Sequence, residues 1–111
     1  MEFSTSLKEN YEFRRLYSKG RSMAGRYLVL YVRRRPGSHN RVGITVSAKL
    51  AHAVKRNRVR RRLREIYRLN EQKFVRGLDM VIVVRGRGVD APYRTLETEV
   101  MTLAEKLEAL L

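Results

Sequence analysis

Between Lys55 and Arg64, seven of ten side chains are cationic and none is acidic. The run Lys55-Arg56-Asn57-Arg58-Val59-Arg60-Arg61-Arg62-Leu63-Arg64 is broken by apolar residues at helical intervals. Val59, Leu63 and Ile66 fall at i, i+4 and i+7, which predicts a helix from about Val54 to Leu69 with a thin buried seam. Such a segment constrains the chain twice: the seam must dock on a core, and the wide cationic face must stay open. Seven like charges on one helix destabilise it unless something anionic neutralises them. Only Glu65 is near enough in sequence to offset them. The segment reads as part of the fold and as a binding surface.

The rest of the charge has the same bias. The 111 residues carry 25 Lys+Arg against 11 Asp+Glu, a net charge of +14. Residues 1–89 hold 23 basic and 6 acidic side chains (+17), whereas residues 90–111 hold 2 and 5 (−3). That imbalance points to a polyanionic partner, nucleic acid first. A length of 111 residues with 43% hydrophobic content supports one small domain spanning residues 1–111. The absence of Cys excludes disulfides, thiolate metal sites and a thiol nucleophile. No apolar run approaches the ~18 residues of a membrane span, and Met1-Glu2-Phe3-Ser4 lacks signal-peptide architecture, so a cytoplasmic location is expected.

Around the basic helix the chain alternates strands and helices. A first helix is predicted from Asn10 as N-cap to Lys19, stopping at Gly20, with Phe13, Leu16 and Tyr17 on one face. Arg21 to Ala24 is read as a short strand. Arg26 to Arg35 alternates as a second one, and Pro36-Gly37-Ser38-His39-Asn40 predicts a hairpin return into a third at Arg41 to Ser47. One face of that third strand, Gly43, Thr45 and Ser47, is small and polar enough to lie open to a ligand. Leu78 to Val84 is a strand buried on both faces, paired through the basic helix as a crossover if it runs parallel to its neighbour. A last helix starts near Pro92, with Leu96, Val100, Leu103, Leu107 and Leu110 at helical spacing. The class is α+β: a single-domain sandwich of helices on a four-stranded, mostly antiparallel sheet.

The residues offer binding chemistry and no self-contained catalytic site. Acids are sparse, and no D-x-D, H-E-x-x-H or comparable ligand spacing occurs, so neither catalytic residues nor a metal site is expected on the chain. His39 in a turn and His52 before the basic helix are ordinary polar residues, and Gly86-Arg87-Gly88 reads as a turn. Arginine outnumbers lysine six to one in the basic cluster, matching phosphate oxygens bidentately. Tyr11, Phe13, Tyr17, Tyr27 and Tyr31 are interleaved with Arg14, Arg15, Arg26 and Arg33, a pattern that can stack unpaired bases while cations hold the backbone. Spacing alone favours helix-to-sheet packing for Phe13, Leu16 and Tyr17. No motif for reading a DNA major groove is present, so RNA or single strands fit better than DNA.

The basic run, preceded by Val46-Ser47-Ala48-Lys49 and Ala53-Val54 and followed by Glu65, closely resembles the signature of the bacterial ribonuclease P protein subunit. Leu7-Lys8-Glu9-Asn10-Tyr11-Glu12-Phe13, Gly20-Arg21-Ser22, Leu30-Tyr31, Arg41-Val42-Gly43 and Val83-Val84-Arg85 extend the resemblance from Leu7 to about Leu107. It implies a ribosomal-protein-like α/β sandwich whose β-α-β crossover through the basic helix is left-handed, against the usual rule. It also implies a non-catalytic subunit working with a large catalytic RNA, which holds the catalytic magnesium ions. Together they remove the 5′ leader of precursor tRNA by endonucleolytic hydrolysis.

Carried onto this chain, the resemblance places Lys55, Arg56, Asn57, Arg58, Arg60, Arg61 and Arg64 against the RNA subunit. It places Phe13, Tyr17, Tyr31 and Lys49 along the single-stranded leader, reversing the packing reading of Phe13 and Tyr17. The chain departs from the family pattern with Tyr17 where phenylalanine is common, Ala48 for a frequent lysine, and Ala51-His52 for Gly-Asn or a basic pair. Its acidic C-terminal end lacks a basic tail, so no RNA contact is expected there. A ribosomal or RNA-chaperone-like structural protein is the competing reading, and a stand-alone nuclease the third.

Overall fold

The computed structural model describes residues 1–111. Five strands, β1 (Ser4–Ser6), β2 (Arg21–Ala24), β3 (Leu28–Arg34), β4 (Asn40–Val46) and β5 (Leu78–Val84), form one sheet in the order β1-β4-β5-β3-β2. Three helices, α1 (Asn10–Lys19), α2 (Ala53–Asn70) and α3 (Tyr93–Lys106), complete the α+β fold. The sheet therefore has five strands, not four. It is also mixed: β1–β4 and β4–β5 are parallel, whereas β2–β3 and β3–β5 are antiparallel. No helix is long and apolar enough to cross a membrane.

The predicted hairpin between β3 and β4 does not form, because β5 lies between them and pairs with both. The reason is burial. Leu78, Met80, Ile82 and Val84 face the main core while Val81 is fully buried on the opposite face, so only the centre of the sheet covers both sides of β5. The β3–β4 connection instead passes over the start of β5. Arg35 N–H donates to the Gly77 carbonyl at 2.9 Å, and the buried Asn40 Oδ1 accepts from Gly77 and Leu78 N–H at 2.7 and 2.9 Å. Gly77 has φ +86°, and a side chain there would collide with the Gly37 carbonyl.

α2 is the parallel β4-to-β5 crossover, as the buried-strand reading anticipated. Its seam residues Val59, Leu63 and Ile66 are fully buried in a core shared with α3 and one sheet face. α1 packs on the other face through Leu16, with Leu7 and Val81. Its N-cap is Glu9 rather than Asn10; the Glu9 N–H donates to Glu12 Oε1 at 3.1 Å. α3 stops at Lys106, so Leu110 is not helical and bridges back to Phe74.

α3 also fixes the β2–β3 turn. The Glu99 carboxylate accepts from the N–H groups of Arg26, Tyr27 and Leu28 at 2.9, 2.7 and 2.7 Å. Gly25 permits that approach, since a Cβ there would lie 2.5 Å from the Glu99 carboxyl carbon. Glu99→Ala strands three donors and should cost about 1–3 kcal/mol in urea unfolding. A loss below ~0.5 kcal/mol would show that water replaces the carboxylate there.

Candidate nucleic-acid interface

α2 divides its cations among three directions, about 100° of rotation per residue setting the division. Toward α3, Arg62 donates to the Ala91 carbonyl at 3.3 Å and Lys55 pairs with Asp90 at 3.3 Å. Toward the preceding loop, Arg56 donates to the Ala51 carbonyl at 3.0 Å, tying that loop to the helix. Arg60, half-buried, donates to Asn57 Oδ1 at 3.3 Å and lines a groove beside α1. Arg58, Arg61 and Arg64 are exposed and have neither a hydrogen-bond partner nor a counter-ion. No arginine between 56 and 64 meets a carboxylate. Glu65 does not offset them: it pairs with Arg68, whose hydrogen bond holds the Glu65 carboxyl below its ordinary range.

The groove has a volume of about 660 Å³ and lies between α1, β4 and α2. α1 supplies Asn10, Phe13, Arg14 and Tyr17, β4 supplies Ile44 and Thr45, and α2 supplies Arg60. Gly43 lets the helix sit this close, since a Cβ there would lie 2.6 Å from the Phe13 ring. Of the small, polar face read for β4, Thr45 lines the groove and Gly43 lies beneath the Phe13 ring, whereas Ser47 does not line it. Tyr17 is 41% exposed, packs edge-on against Tyr31 with ring centroids 5.0 Å apart, and shares a 3.2 Å hydrogen bond with Thr45. The hydroxyl by which Tyr17 departs from phenylalanine therefore ties the ring to the floor.

The three residues read as one packing face separate here. Leu16 is buried at 1% exposure, Phe13 is half-buried over Gly43, and Tyr17 stands open. Lys49 is exposed in the loop before α2 and does not line the groove. The two-residue period of β4 marks Ile44 only as a core-facing side chain; the open edge that brings it to the groove depends on which strand lies beside it.

A buried ion-pair cluster holds α1 in place. Arg41 donates from Nε and Nη2 to the Asp79 carboxylate, both at 2.8 Å, and also pairs with Glu12. Arg35 adds a 3.6 Å contact to Asp79. The Asp79 hydrogen bonds raise the Arg41 guanidinium above its ordinary value, against the effect of burial. These carboxylates are engaged by arginines and do not form a donor set for a metal ion.

The chain is similar along its length to proteins of one family. The family model described as Ribonuclease P matches residues 1–108. The ribonuclease P protein component of Alkaliphilus oremlandii is 39% identical over 110 residues, covering 99% of this chain and 96% of the relative. That of Clostridioides difficile is 37% identical, covering 97% of each. The RNase P protein of Staphylococcus aureus superposes with a TM-score of 0.87 at 28% identity, over 96% of this chain and 97% of that one. The Thermotoga maritima RNase P protein, solved in complex with 1-(4-fluorophenyl)-2-thiourea, gives 0.81 at 26% identity over 86% and 94%. A basic crossover helix, an aromatic groove beside it and a full-length match to these proteins lead to one assignment: the chain belongs to the ribonuclease P protein family.

Proposed function

We propose that this chain is the RNA-binding subunit of a ribonuclease P holoenzyme, gripping the catalytic RNA with the outer face of α2 and the precursor tRNA leader in the groove. The observation that carries the reading is the adjacency of two surfaces of different chemistry, with Arg60 lining the groove from the cationic helix. Unpaired arginines suit the phosphates of a folded RNA. The exposed Tyr17 ring and the half-buried Phe13 ring, beside Arg14 and Arg60, suit a single strand, whose bases can stack. On this reading the catalytic magnesium ions are held by the RNA, the protein raises affinity for the precursor, and the complex acts in the cytoplasm. Lys49 and Arg56 act at the loop that leads into α2.

Reconstitution tests it. The chain, the catalytic RNA at low magnesium, and both together are given precursor tRNA with a labelled leader. Cleavage is expected only with RNA present, and faster with both. Cleavage by the chain alone would make it a nuclease; no gain on adding it would return it to a structural RNA-binding role. Within this assay Phe13→Ala should weaken precursor binding by about 1–3 kcal/mol and leave mature tRNA unaffected. Equal losses for both would make Phe13 a packing residue only.

A further inference from the structure

At the corner of the sheet where α1 and α3 both end, a pocket of about 420 Å³ opens beside β2 and β3. It shares no residue with the groove, to which β4 contributes, and β5 lies between the two along the sheet. Lys19, Arg21, Arg33 and Arg34 line it, together with the buried Val32, Leu78 and Leu107. Pockets of about 300–1,000 Å³ suit small molecules or compact groups.

Two of the four cations serve the fold. Lys19 stands in the last turn of α1, where a positive charge complements the helix dipole. Arg21 donates to the Leu107 carbonyl at 3.4 Å and pairs with Glu108 at 3.2 Å. Arg33 and Arg34 have neither a hydrogen-bond partner nor a counter-ion. Arg33 is half-buried and lies opposite Asp79 in the β3–β5 register, yet Asp79 is taken by Arg41 and Arg35. A half-buried guanidinium without an anion is poorly compensated for the water it has lost. Glu108, the one acid of the pocket, has φ +59° just past the α3 cap, where glycine or asparagine is the usual choice. Its carboxylate reaches Arg21 from a strained backbone, and an exposed pair of this kind is weak.

We propose that this pocket binds a polyphosphate group, as carried by a nucleoside triphosphate or by the 5′ end of an unprocessed transcript. Arg33 and Arg34 take the phosphate oxygens, which accept the paired donors of a guanidinium. Arg21 exchanges Glu108 for phosphate, and Lys19 adds a fourth charge. A single phosphate answers one or two of these cations, whereas consecutive phosphates answer several at once. Convergence of the cations in a concave site favours consecutive phosphates over an acidic peptide, whose carboxylates are spread along its chain. The site is separate from the groove and from α2, so it does not depend on the leader reading.

Titration calorimetry on the full chain tests it, comparing inorganic triphosphate, ATP and GTP with AMP, and a 5′-triphosphorylated RNA trinucleotide with its 5′-hydroxyl form. The triphosphates should bind at least about tenfold more tightly than AMP. Arg33→Gln and Arg34→Gln should each weaken them about tenfold and leave the urea midpoint in place, since neither side chain has an internal partner. Glu108→Gln frees Arg21 and should tighten them about threefold. The Arg58→Gln, Arg61→Gln, Arg64→Gln triple variant should bind them as wild type does. Equal affinity for ATP and the triphosphorylated RNA assigns the pocket to free nucleotide; tighter RNA binding, lost in the 5′-hydroxyl form, assigns it to the transcript end. Affinity that ignores Arg33 and Arg34, or that falls equally in the α2 triple variant, reduces the attraction to the overall charge of +14 and overturns the pocket. Hexaglutamate binding as tightly as triphosphate overturns phosphate as the ligand.

Discussion

Replacing Arg41 with methionine is expected to destabilise the fold by about 3–5 kcal/mol, because it strands the buried Glu12 carboxylate and leaves buried Asp79 with only the 3.6 Å contact to Arg35. Glu12 and Asp79 are each 7% exposed, and Arg41 pairs with both. The substitution keeps much of the side-chain length, so packing loss is small beside the uncompensated charge. Urea unfolding should show a lower midpoint at unchanged slope. In a Glu12→Gln, Asp79→Asn background the same change should cost less than half as much, since no buried charge is then left alone. An equal cost in both backgrounds would assign the effect to packing. Because Glu12 belongs to α1, the single variant should also loosen the groove and weaken precursor binding beyond any change at the outer face of α2.

The second large effect is expected in salt dependence. Arg58, Arg61 and Arg64 carry no internal partner, so changing all three to Gln removes charge without breaking a contact. Each phosphate contact contributes about 0.7–0.9 to the slope of log affinity against log salt. The triple variant should flatten that slope by about 2.1–2.7 for the catalytic RNA. Over a fourfold rise in salt, wild type should lose about 20- to 40-fold more affinity than the variant. An unchanged slope would mean that this face does not contact phosphate. Stability should stay within about 0.5 kcal/mol or rise, as self-repulsion on the helix is relieved.

Periodicity made the helices legible. Val59, Leu63 and Ile66 located α2 and its buried seam, and Gly20 marked the end of α1. The apolar run from Leu78 to Val84 announced a strand covered on both faces, and its place at the sheet centre follows from that requirement. Strand neighbours were not legible. Turn residues at Pro36 to Asn40 suit a hairpin locally, but burying β5 on both sides outweighs a local turn preference, so β5 separates β3 from β4. β1 carries no sequence signal, because Ser4-Thr5-Ser6 has no apolar pattern; Phe3 and Leu7, both buried, anchor it from its ends.

Residue types alone set the chemistry: a cationic helix with a thin apolar seam, aromatics near the N-terminus, no cysteine, and a family signature. Those properties belong to residue types and short-range spacing. The tertiary structure decided which side chains remain available. Phe13, Leu16 and Tyr17 share one helical face, yet one is core, one sits over Gly43 and one stands in the groove. Arg60 joins the groove, while Arg56 and Arg62 are drawn to backbone carbonyls. The division follows from long-range pairing: where β1 stops along β4, and how closely Gly43 lets α1 approach, depend on contacts between residues far apart in the chain.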